Sequence, residues 1–372
     1  MIIQTEKKNL SWPNSCSTRH TCQPKITVTL RHENAWNRVL QILALLVVTS
    51  VGCVPRPENE VVLYTAVDRE YAAPILDAFE RSEPGVEISR QFDVEATKTL
   101  GLVNRIIQEG KKPRCDVFWN NEILHTIRLQ RQGLLASRNW KIPSGWPTGF
   151  AASDGTWVGL AARGRVLLVN KDKITSESEY PKSVSELSDA KWQGKCGIAF
   201  PVYGTTATHF AVIASRSKSN EAEVWFQKVR ANAVVLAGNK QVAQAVSSGQ
   251  LAWGLTDTDD ANIERENGLN VAIVFPDQLP DQPGTLFLPC SVAVLKDAPH
   301  RVAANLLADY LVSEKTEARL TMSSSAHFPV WPGSSSQSNA APSVPVRWMT
   351  VDFEKAVDVW ESLAPKLAKW FE

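Results

Sequence analysis

The sequence lacks the short motifs that mark several large classes of protein. It contains no GxSxG, no P-loop and no HExxH. The formal net charge is only +1 at pH 7, and no basic stripe is present. The apolar run near the N-terminus, VLQILALLVVTSVG, is too short to span a bilayer comfortably. These absences count against an enzyme, a nucleic-acid-binding protein and a membrane-spanning protein.

The N-terminal region has the order of parts that is typical of a secretory signal. The apolar stretch Val39–Gly52 follows a basic segment and ends in small residues directly before Cys53. This order predicts a bacterial lipoprotein signal, although Ser50 stands where the lipobox usually has leucine. We expect residues 1–52, an N-terminal extension with the signal peptide, to be removed, and Cys53 to carry lipid at the start of a linker over 53–60. Secretion without lipid is the alternative.

Three cysteines remain in the part expected to fold, namely Cys115, Cys196 and Cys290. Each lies in or beside an apolar run that is typical of a strand, and none has a second cysteine or a histidine at metal-ligand spacing. We expect them to act as small buried hydrophobic residues. One disulfide is the alternative in an oxidising envelope.

The chain of 372 residues is long enough for two domains, because single cores stop growing at about 250 to 300 residues. Apolar runs alternate with amphipathic helices, which favours mostly parallel sheets flanked by helices. The segment Trp157–Asn170 contains two strand-like pieces around a glycine and suits a crossing between lobes. A second α/β series follows, and Thr285–Leu295 suits a return strand. We therefore predict an α/β protein with lobe 1 at 61–163 and 291–372, and lobe 2 at 164–290.

Ligands of open α/β sheets bind beyond the carboxyl ends of strands, where loops and helix starts converge. Aromatic side chains with a few polar groups are typical of such pockets. Applied to the predicted strands, the rule selects the following ligand-binding candidates: Thr65, Asp68, Thr97, Trp119, Asn120, Tyr203, Thr205, Thr206, Asp257 and Asp259.

One candidate segment, YGTTAT at Tyr203–Thr208, places glycine and hydroxyl groups at the start of an apolar helix. The free N–H groups and the positive end of the helix dipole at such a start attract anions. An ordinary threonine cap would explain the same composition. The sequence leaves both interpretations open.

A second segment, TDTDD at 256–260, places three carboxylates at the end of a predicted strand. Clustered carboxylates raise each other's pKa unless a cation or N–H donors neutralise them. The functional interpretation is a site for a ligand ammonium or a metal ion, with Tyr203, Asp257 and Asp259 as candidate metal ligands. Such hard oxygen ligands suit iron(III) or calcium. The alternative is that Asp257 or Asp259 caps the next helix while Asp260 is solvated.

Four segments, taken in order, resemble one known family: VVLYTAVDREYAAPILDAFE, EATKTLGLVNRIIQEGKKPRCDVFWNNEIL, LSDAKWQGKCGIAFPVYGTTATH and SSGQLAWGLTDTDDA. They are similar to extracellular solute-binding proteins of ABC importers, in the branch that contains ferric-iron-binding proteins. The resemblance covers roughly residues 60–335. It implies a two-lobed periplasmic-binding-protein type II fold whose cleft closes on the ligand.

The resemblance also implies a transport protein rather than an enzyme. Such a protein would be a monomer in the periplasm or cell envelope, held to the membrane through its lipid alone. It would capture a small molecule or a metal ion, with iron(III) as the candidate, and present it to an ABC permease. No cofactor is expected beyond such a transported cation.

Iron-binding members of the resembled branch commonly hold the metal with two adjacent tyrosines after the strand that corresponds to Leu251–Leu255, where this chain has TDTDD. The alternative ligand is an organophosphonate or another phosphorylated zwitterion, with its anionic end at Thr205 and Thr206. The alternative class is a metal-dependent enzyme acting on a phosphorylated substrate, because Asp257 and Asp259 form a DxD pair.

Overall fold

The computed structural model describes residues 59–93, 99–218 and 220–372. The strands in these ranges are β1 (Glu60–Thr65), β2 (Glu87–Phe92), β3 (Val117–Asn120), β4 (Trp157–Asn170), β5 (Cys196–Ala199), β6 (Val234–Leu236), β7 (Trp253–Asp257), β8 (Val271–Val274) and β9 (Phe287–Val294). The α-helices are α1 (Arg69–Ser82), α2 (Leu100–Glu109), α3 (Leu124–Arg131), α4 (Gly204–Arg216), α5 (Glu221–Asn232), α6 (Asn239–Ser247), α7 (Thr258–Glu266), α8 (Arg301–Leu311), α9 (Glu314–Met322) and α10 (Phe353–Phe371). Three short 3-10 helices, at Glu177–Glu179, Val184–Ser188 and Ala190–Trp192, connect β4 to β5.

These strands form a sheet with the order β2-β1-β3-β9-β4-β7-β5-β6, and β8 pairs with β4. At one end β1 runs parallel to β2 and β3, and at the other end β5 runs parallel to β6 and β7. Between these ends, β9 and β4 run antiparallel to each of their neighbours. Parallel strands require helical crossovers, so the alternation of strand and helix follows from this order. The predicted α/β class is confirmed.

Strand β4 carries the chain from one half of the sheet to the other. Its residues 157–164 pair with β9, whereas residues 165–170 pair with β7 and β8. The sequence predicted two separate pieces here, but the structure has one strand of 14 residues. The register shifts between Leu160 and Ala162, where Ala161 has a φ of 45°. This irregularity lies within the part of β4 that pairs with β9. The division into lobes at 163/164 and 290/291 stays a prediction.

Helix α10 extends further than the sequence predicted. The apolar pattern favoured an end near Leu363, yet the helix includes Pro365 and continues to Phe371. Leu363, Leu367 and Phe371 are all buried and repeat every four residues, so their packing sustains the helix beyond the proline. The helix lies against α3 on one side and against α4 and α5 on the other. It therefore packs against elements of both halves of the chain.

The three cysteines of the described ranges, Cys115, Cys196 and Cys290, are free and buried. Burial raises the pKa of the Cys196 and Cys290 thiols to about 12. They serve as small apolar residues beside or within the strands, as predicted. In the described part of the chain, no helix has the length and apolar character needed to cross a membrane.

Candidate ligand-binding site

Two neighbouring cavities open where helix starts from the two halves of the chain approach each other. The larger, which we call the acidic cavity, has a volume of about 410 Å³. The smaller, which we call the inner cavity, has a volume of about 30 Å³, room for about one water. Asp260 lines both. The polar residues of the acidic cavity are Asp68, Arg69, Glu70, Tyr71, Lys240, Asp259 and Asp260. Those of the inner cavity include Asn121, Arg163, Tyr203, Thr205, Asn239 and Asp257.

Two arginines of β4 anchor the inner cavity. Arg163 and Arg165 are two residues apart on one strand, so their side chains leave the same face. Arg165 is fully buried, and its Nη1 donates to Asp257 Oδ1 at 2.6 Å. The second oxygen of Asp257 accepts from Thr205 Oγ1 at 2.6 Å and from Asn239 Nδ2 at 3.0 Å. Both oxygens of Asp257 are thus already engaged by the protein.

Arg163 connects Asp257 to the next carboxylate. Its Nη1 donates to Asp259 Oδ2 at 2.9 Å and lies 3.4 Å from Asp257 Oδ2, while its Nη2 donates to the carbonyl of Asn121 at 2.6 Å. Two atoms of this pair have no hydrogen-bond partner although both are buried, namely Arg163 Nε and Asp259 Oδ1. We call Arg163, Arg165, Asp257 and Asp259 the arginine–aspartate cluster.

The ionisation of the cluster follows from burial and from the arginines. Burial opposes the charge of Arg163, but Asp259 and Asp257 outweigh it and hold its pKa well above the ordinary value. Burial would likewise raise the pKa of Asp257, yet Arg165 and Arg163 lower it overall. For Asp259, burial together with Asp257 outweighs Arg163 and raises the pKa. Asp257 is therefore the firmly ionised member, and Asp259 is the one whose charge is least compensated.

The structure tests one interpretation of the TDTDD segment, namely that Asp257 caps the following helix. Strand β7 ends at Asp257 and α7 begins at Thr258, so Asp257 occupies the capping position. Its side chain makes no capping hydrogen bond and turns to the arginines instead, so helix capping by Asp257 is wrong. Oxygens of Asp257, Asp259 and Asp260 lie within 4.8 Å of one another, close enough for one metal ion.

Five of the predicted site residues line the two cavities. Asp68 and Asp259 line the acidic cavity. Tyr203, Thr205 and Asp257 line the inner cavity. The strand-end rule thus brings together side chains that are far apart in sequence. Their contact with a ligand stays a prediction.

Four other predicted residues line neither cavity: Thr65, Trp119, Asn120 and Thr206. All four are completely buried. Asn120 donates to Glu122 Oε1 at 2.8 Å, and Thr206 accepts from Arg165 Nη2 at 3.0 Å. These side chains belong to the packed layer around the cavities. Thr97 and Cys53 lie outside the described residues.

Among the cavity residues that the sequence reasoning did not select, Arg163, Tyr71 and Lys240 show why. Arg163 lies inside a strand, where the strand-end rule does not look. Two arginines at alternate positions of an apolar strand were nevertheless a signal, because such charges are buried only with partners. Tyr71 lies in the first turn of α1, three residues after Asp68, and Lys240 lies at the start of α6. A helix start therefore contributes side chains from its first turn as well as from its preceding loop.

The two halves of the chain also touch directly, through Glu122 and Thr208. Glu122 is fully buried, and its Oε2 accepts from Thr208 Oγ1 of α4 at 2.9 Å. Burial raises the pKa of Glu122 despite the hydrogen bonds from Asn120 and Thr208. Two halves joined by crossing strands, with a charged cleft between them, define the class of two-lobed ligand-binding proteins.

A family model described as "Bacterial extracellular solute-binding protein" matches residues 126–356. The chain belongs to this family. It is therefore a solute-binding protein and not an enzyme, so the metal-dependent enzyme is not supported.

Several proteins similar to this chain are named for iron. The chain is 27% identical over 296 residues to "Iron uptake protein A1" of Synechocystis sp., covering 75% of this chain and 78% of that protein. It is 21% identical over 293 residues to "Fe(3+)-binding periplasmic protein" of Serratia marcescens, covering 77% and 83% respectively. Iron-bound HitA from Pseudomonas aeruginosa aligns with a TM-score of 0.71 and 25% identity, covering 83% of this chain and 99% of HitA. The fold predicted from the resemblance is confirmed.

Proposed function

We propose that this protein captures iron(III) in the acidic cavity between its two lobes and delivers it to the permease of an ABC importer. The observation that carries the proposal is the imbalance of charge in that cavity. Four carboxylates face two cationic side chains, Arg69 and Lys240. The carboxylates belong to Asp68, Glu70, Asp259 and Asp260. Carboxylate oxygens are the ligands that hard cations prefer, so the excess negative charge favours such a solute.

In this proposal Arg163, Arg165 and Asp257 of the arginine–aspartate cluster fix the shape of the cavity and do not bind the metal, whereas Asp259 does both. Asp257 has both oxygens engaged, so its role is to position Arg165 and Arg163. Arg163 in turn holds one oxygen of Asp259 and leaves the other, Oδ1, without a partner. Tyr203 and Thr205 line the adjoining inner cavity, where they would contact an anion or water carried with the metal.

The names of the iron-related relatives support the same solute, although the adjacent tyrosine pair is replaced by TDTDD. A phosphorylated zwitterion is less favoured. The hydroxyls of Thr205 and Thr206, where its anionic end is expected, are already engaged by Asp257 and Arg165. The nearby arginines, Arg163 and Arg165, already hold Asp257 and Asp259. A new anion would have to displace a buried ion pair, which is costly.

Delivery requires that the lobes close on the solute and that the protein stays near its permease. We propose the lobes as 61–163 with 291–372, and 164–290, and the change of partner along β4 supports a hinge there. We further propose that the protein works as a monomer anchored by lipid on Cys53. Closure would be favoured because only the closed form offers ligands from both lobes.

Native mass spectrometry of the protein purified from its own cell envelope tests the solute. We expect a mass increment equal to one iron atom, which is lost after reduction and chelation. Small-angle scattering before and after adding ferric citrate should show compaction. Absence of iron in the native protein, together with no compaction at saturating ferric citrate, would contradict the proposal.

A further inference from the structure

Tyr71 is a tyrosine of the acidic cavity that no motif had selected. It lies in the first turn of α1, with Asp68 at the capping position of the same helix. Residues three apart on a helix share a face, so both project toward the same side of the helix start. Both line the acidic cavity, opposite Asp259 and Asp260 from the start of α7.

A second observation that points to a ligand in this cavity is a buried carboxylate oxygen of Asp259 without a hydrogen-bond partner. Asp259 is only 4% exposed, and its Oδ1 has no hydrogen-bond partner. A buried carboxylate oxygen without a donor is costly, because it has given up water without replacement. Its other oxygen is fixed by Arg163, so the carboxylate cannot simply turn away. A cation in the cavity would satisfy the free oxygen.

Tyr71 has an unusual environment for a phenol, because it is partly buried among carboxylates. Burial, followed by the carboxylates of Asp259, Glu70, Asp68 and Asp260, raises its pKa above the ordinary value. A strongly acidic metal ion bound among these carboxylates would stabilise the phenolate, because its charge outweighs theirs.

We propose that Tyr71 is the phenolate ligand of the ferric ion, acting from α1 together with Asp259 and Asp260 from α7. This inference rests on the proposed function and adds the residue that makes the cavity selective for a trivalent metal. On binding, the iron–oxygen bond forms as the phenol O–H bond breaks, and the proton passes to solvent.

The arrangement has a consequence for selectivity. Calcium and magnesium accept carboxylate oxygens readily but are weak acids, so they would leave the Tyr71 phenol protonated. Iron(III) gains the phenolate as an additional anionic ligand. The cavity therefore prefers ferric iron over divalent ions of similar oxygen affinity.

The test uses the full mature protein loaded with ferric nitrilotriacetate and freed of excess metal. A ferric phenolate has a visible charge-transfer absorption that iron held by carboxylates alone does not have. We expect this band in the unaltered protein and its loss in Tyr71→Phe, with affinity for iron at least tenfold weaker. The matched control is Tyr180→Phe, which removes a phenol outside both cavities and should keep the band. Circular dichroism confirms that each variant is folded.

Each outcome separates this inference from the proposed function. Iron binding without the band in the unaltered protein would overturn Tyr71 as a ligand while leaving iron transport intact. A band that survives in Tyr71→Phe but disappears in Tyr203→Phe would also overturn it and move the phenolate to the inner cavity. A protein that binds no iron from ferric nitrilotriacetate or ferric citrate would overturn both.

Discussion

The arginine–aspartate cluster and the acidic cavity lie side by side and share Asp259, yet their charges are balanced differently. In the cluster, two buried arginines meet two buried aspartates at 2.6 to 3.4 Å. In the acidic cavity, carboxylates outnumber cationic side chains, and the space of about 410 Å³ between them is open. Paired charge fixes the shape of the site, whereas the excess of carboxylates over cationic side chains leaves a place for a cation.

Asp259 belongs to both regions and shows how they work together. Its Oδ2 is bound by Arg163 and its Oδ1 is free for a ligand. The cluster therefore orients a carboxylate that would otherwise adopt several rotamers. Pre-orientation of this kind reduces the entropy lost on binding.

Breaking the cluster should have the largest effect on folding. Arg165→Met leaves Asp257 buried without its closest partner, so we expect the free energy of unfolding to fall by about 3 to 5 kcal/mol. Adding Asp257→Leu should recover most of the loss, because no unpaired charge then remains. Urea denaturation measures both variants. A loss below about 1 kcal/mol in the single variant would show that the ion pair is not structurally important.

The same kind of change in the acidic cavity should affect binding and spare folding. Asp260→Asn removes one negative charge from the lining, so we expect ferric affinity to fall tenfold or more, equal to about 1.4 kcal/mol. The free energy of unfolding should change by less than about 1 kcal/mol, since Asp260 is only partly buried. Competition titration against nitrilotriacetate measures the affinity. Unchanged affinity would remove Asp260 from the site.

His125 sharpens the comparison because it is a buried ionisable group outside both cavities, with the Glu122 carboxylate 3.9 Å from its Nδ1. Both ring nitrogens lack hydrogen bonds, and burial, aided by Arg128, lowers its pKa to about 3. The unfolded imidazole titrates near pH 6.5, so between about pH 6.5 and 3 the unfolded state binds the additional proton. The free energy of unfolding should therefore decrease as the pH falls through this window.

Replacing His125 isolates the contribution of its imidazole to the pH dependence of the free energy of unfolding. Between pH 7 and pH 5, the free energy of unfolding should fall by about 1 to 2 kcal/mol less in His125→Leu than in the unaltered protein. Denaturation at the two pH values provides the measurement. The other buried histidines remain in both proteins and cancel in the difference. Equal losses would mean that His125 takes up its proton without unfolding.

Removal of an exposed ion pair should have the smallest effect on the free energy of unfolding. Lys366 of α10 lies 2.5 Å from Glu223 of α5, with about half of the lysine side chain exposed, at 48%. Solvent screens such pairs, so Lys366→Ala should cost less than about 1 kcal/mol. A thermal melt alongside Arg165→Met makes the contrast direct. A loss comparable with that of Arg165→Met would contradict the distinction between buried and exposed pairs.

Much of the fold could be predicted because the apolar periodicity of the longer elements is strong. Strand β9, at Phe287–Val294, lies within two residues of the predicted limits Thr285–Leu295. Strands β6 and β8 were missed because three or four residues contain too little of the period-two pattern. The single strand β4 was mistaken for two, since a glycine within a strand also suggests an interruption.

The candidate site was only partly predictable, for a physical reason. Asp68 and Asp259 follow from the rule that ligands meet the carboxyl ends of strands. The partner of a buried carboxylate is decided by tertiary packing, so Arg163 and Arg165 of β4 could not be assigned to Asp257 and Asp259 from local sequence. Tyr71 depends on how α1 approaches α7, which no periodicity encodes.

The most direct test of the account is anomalous diffraction at the iron absorption edge from crystals of the protein loaded with ferric citrate. We predict one anomalous peak in the acidic cavity, within coordination distance of Asp259 Oδ1 and Asp260, with Arg163 still bound to the other oxygen of Asp259. A peak outside the cleft, or no peak at saturating iron, would contradict it.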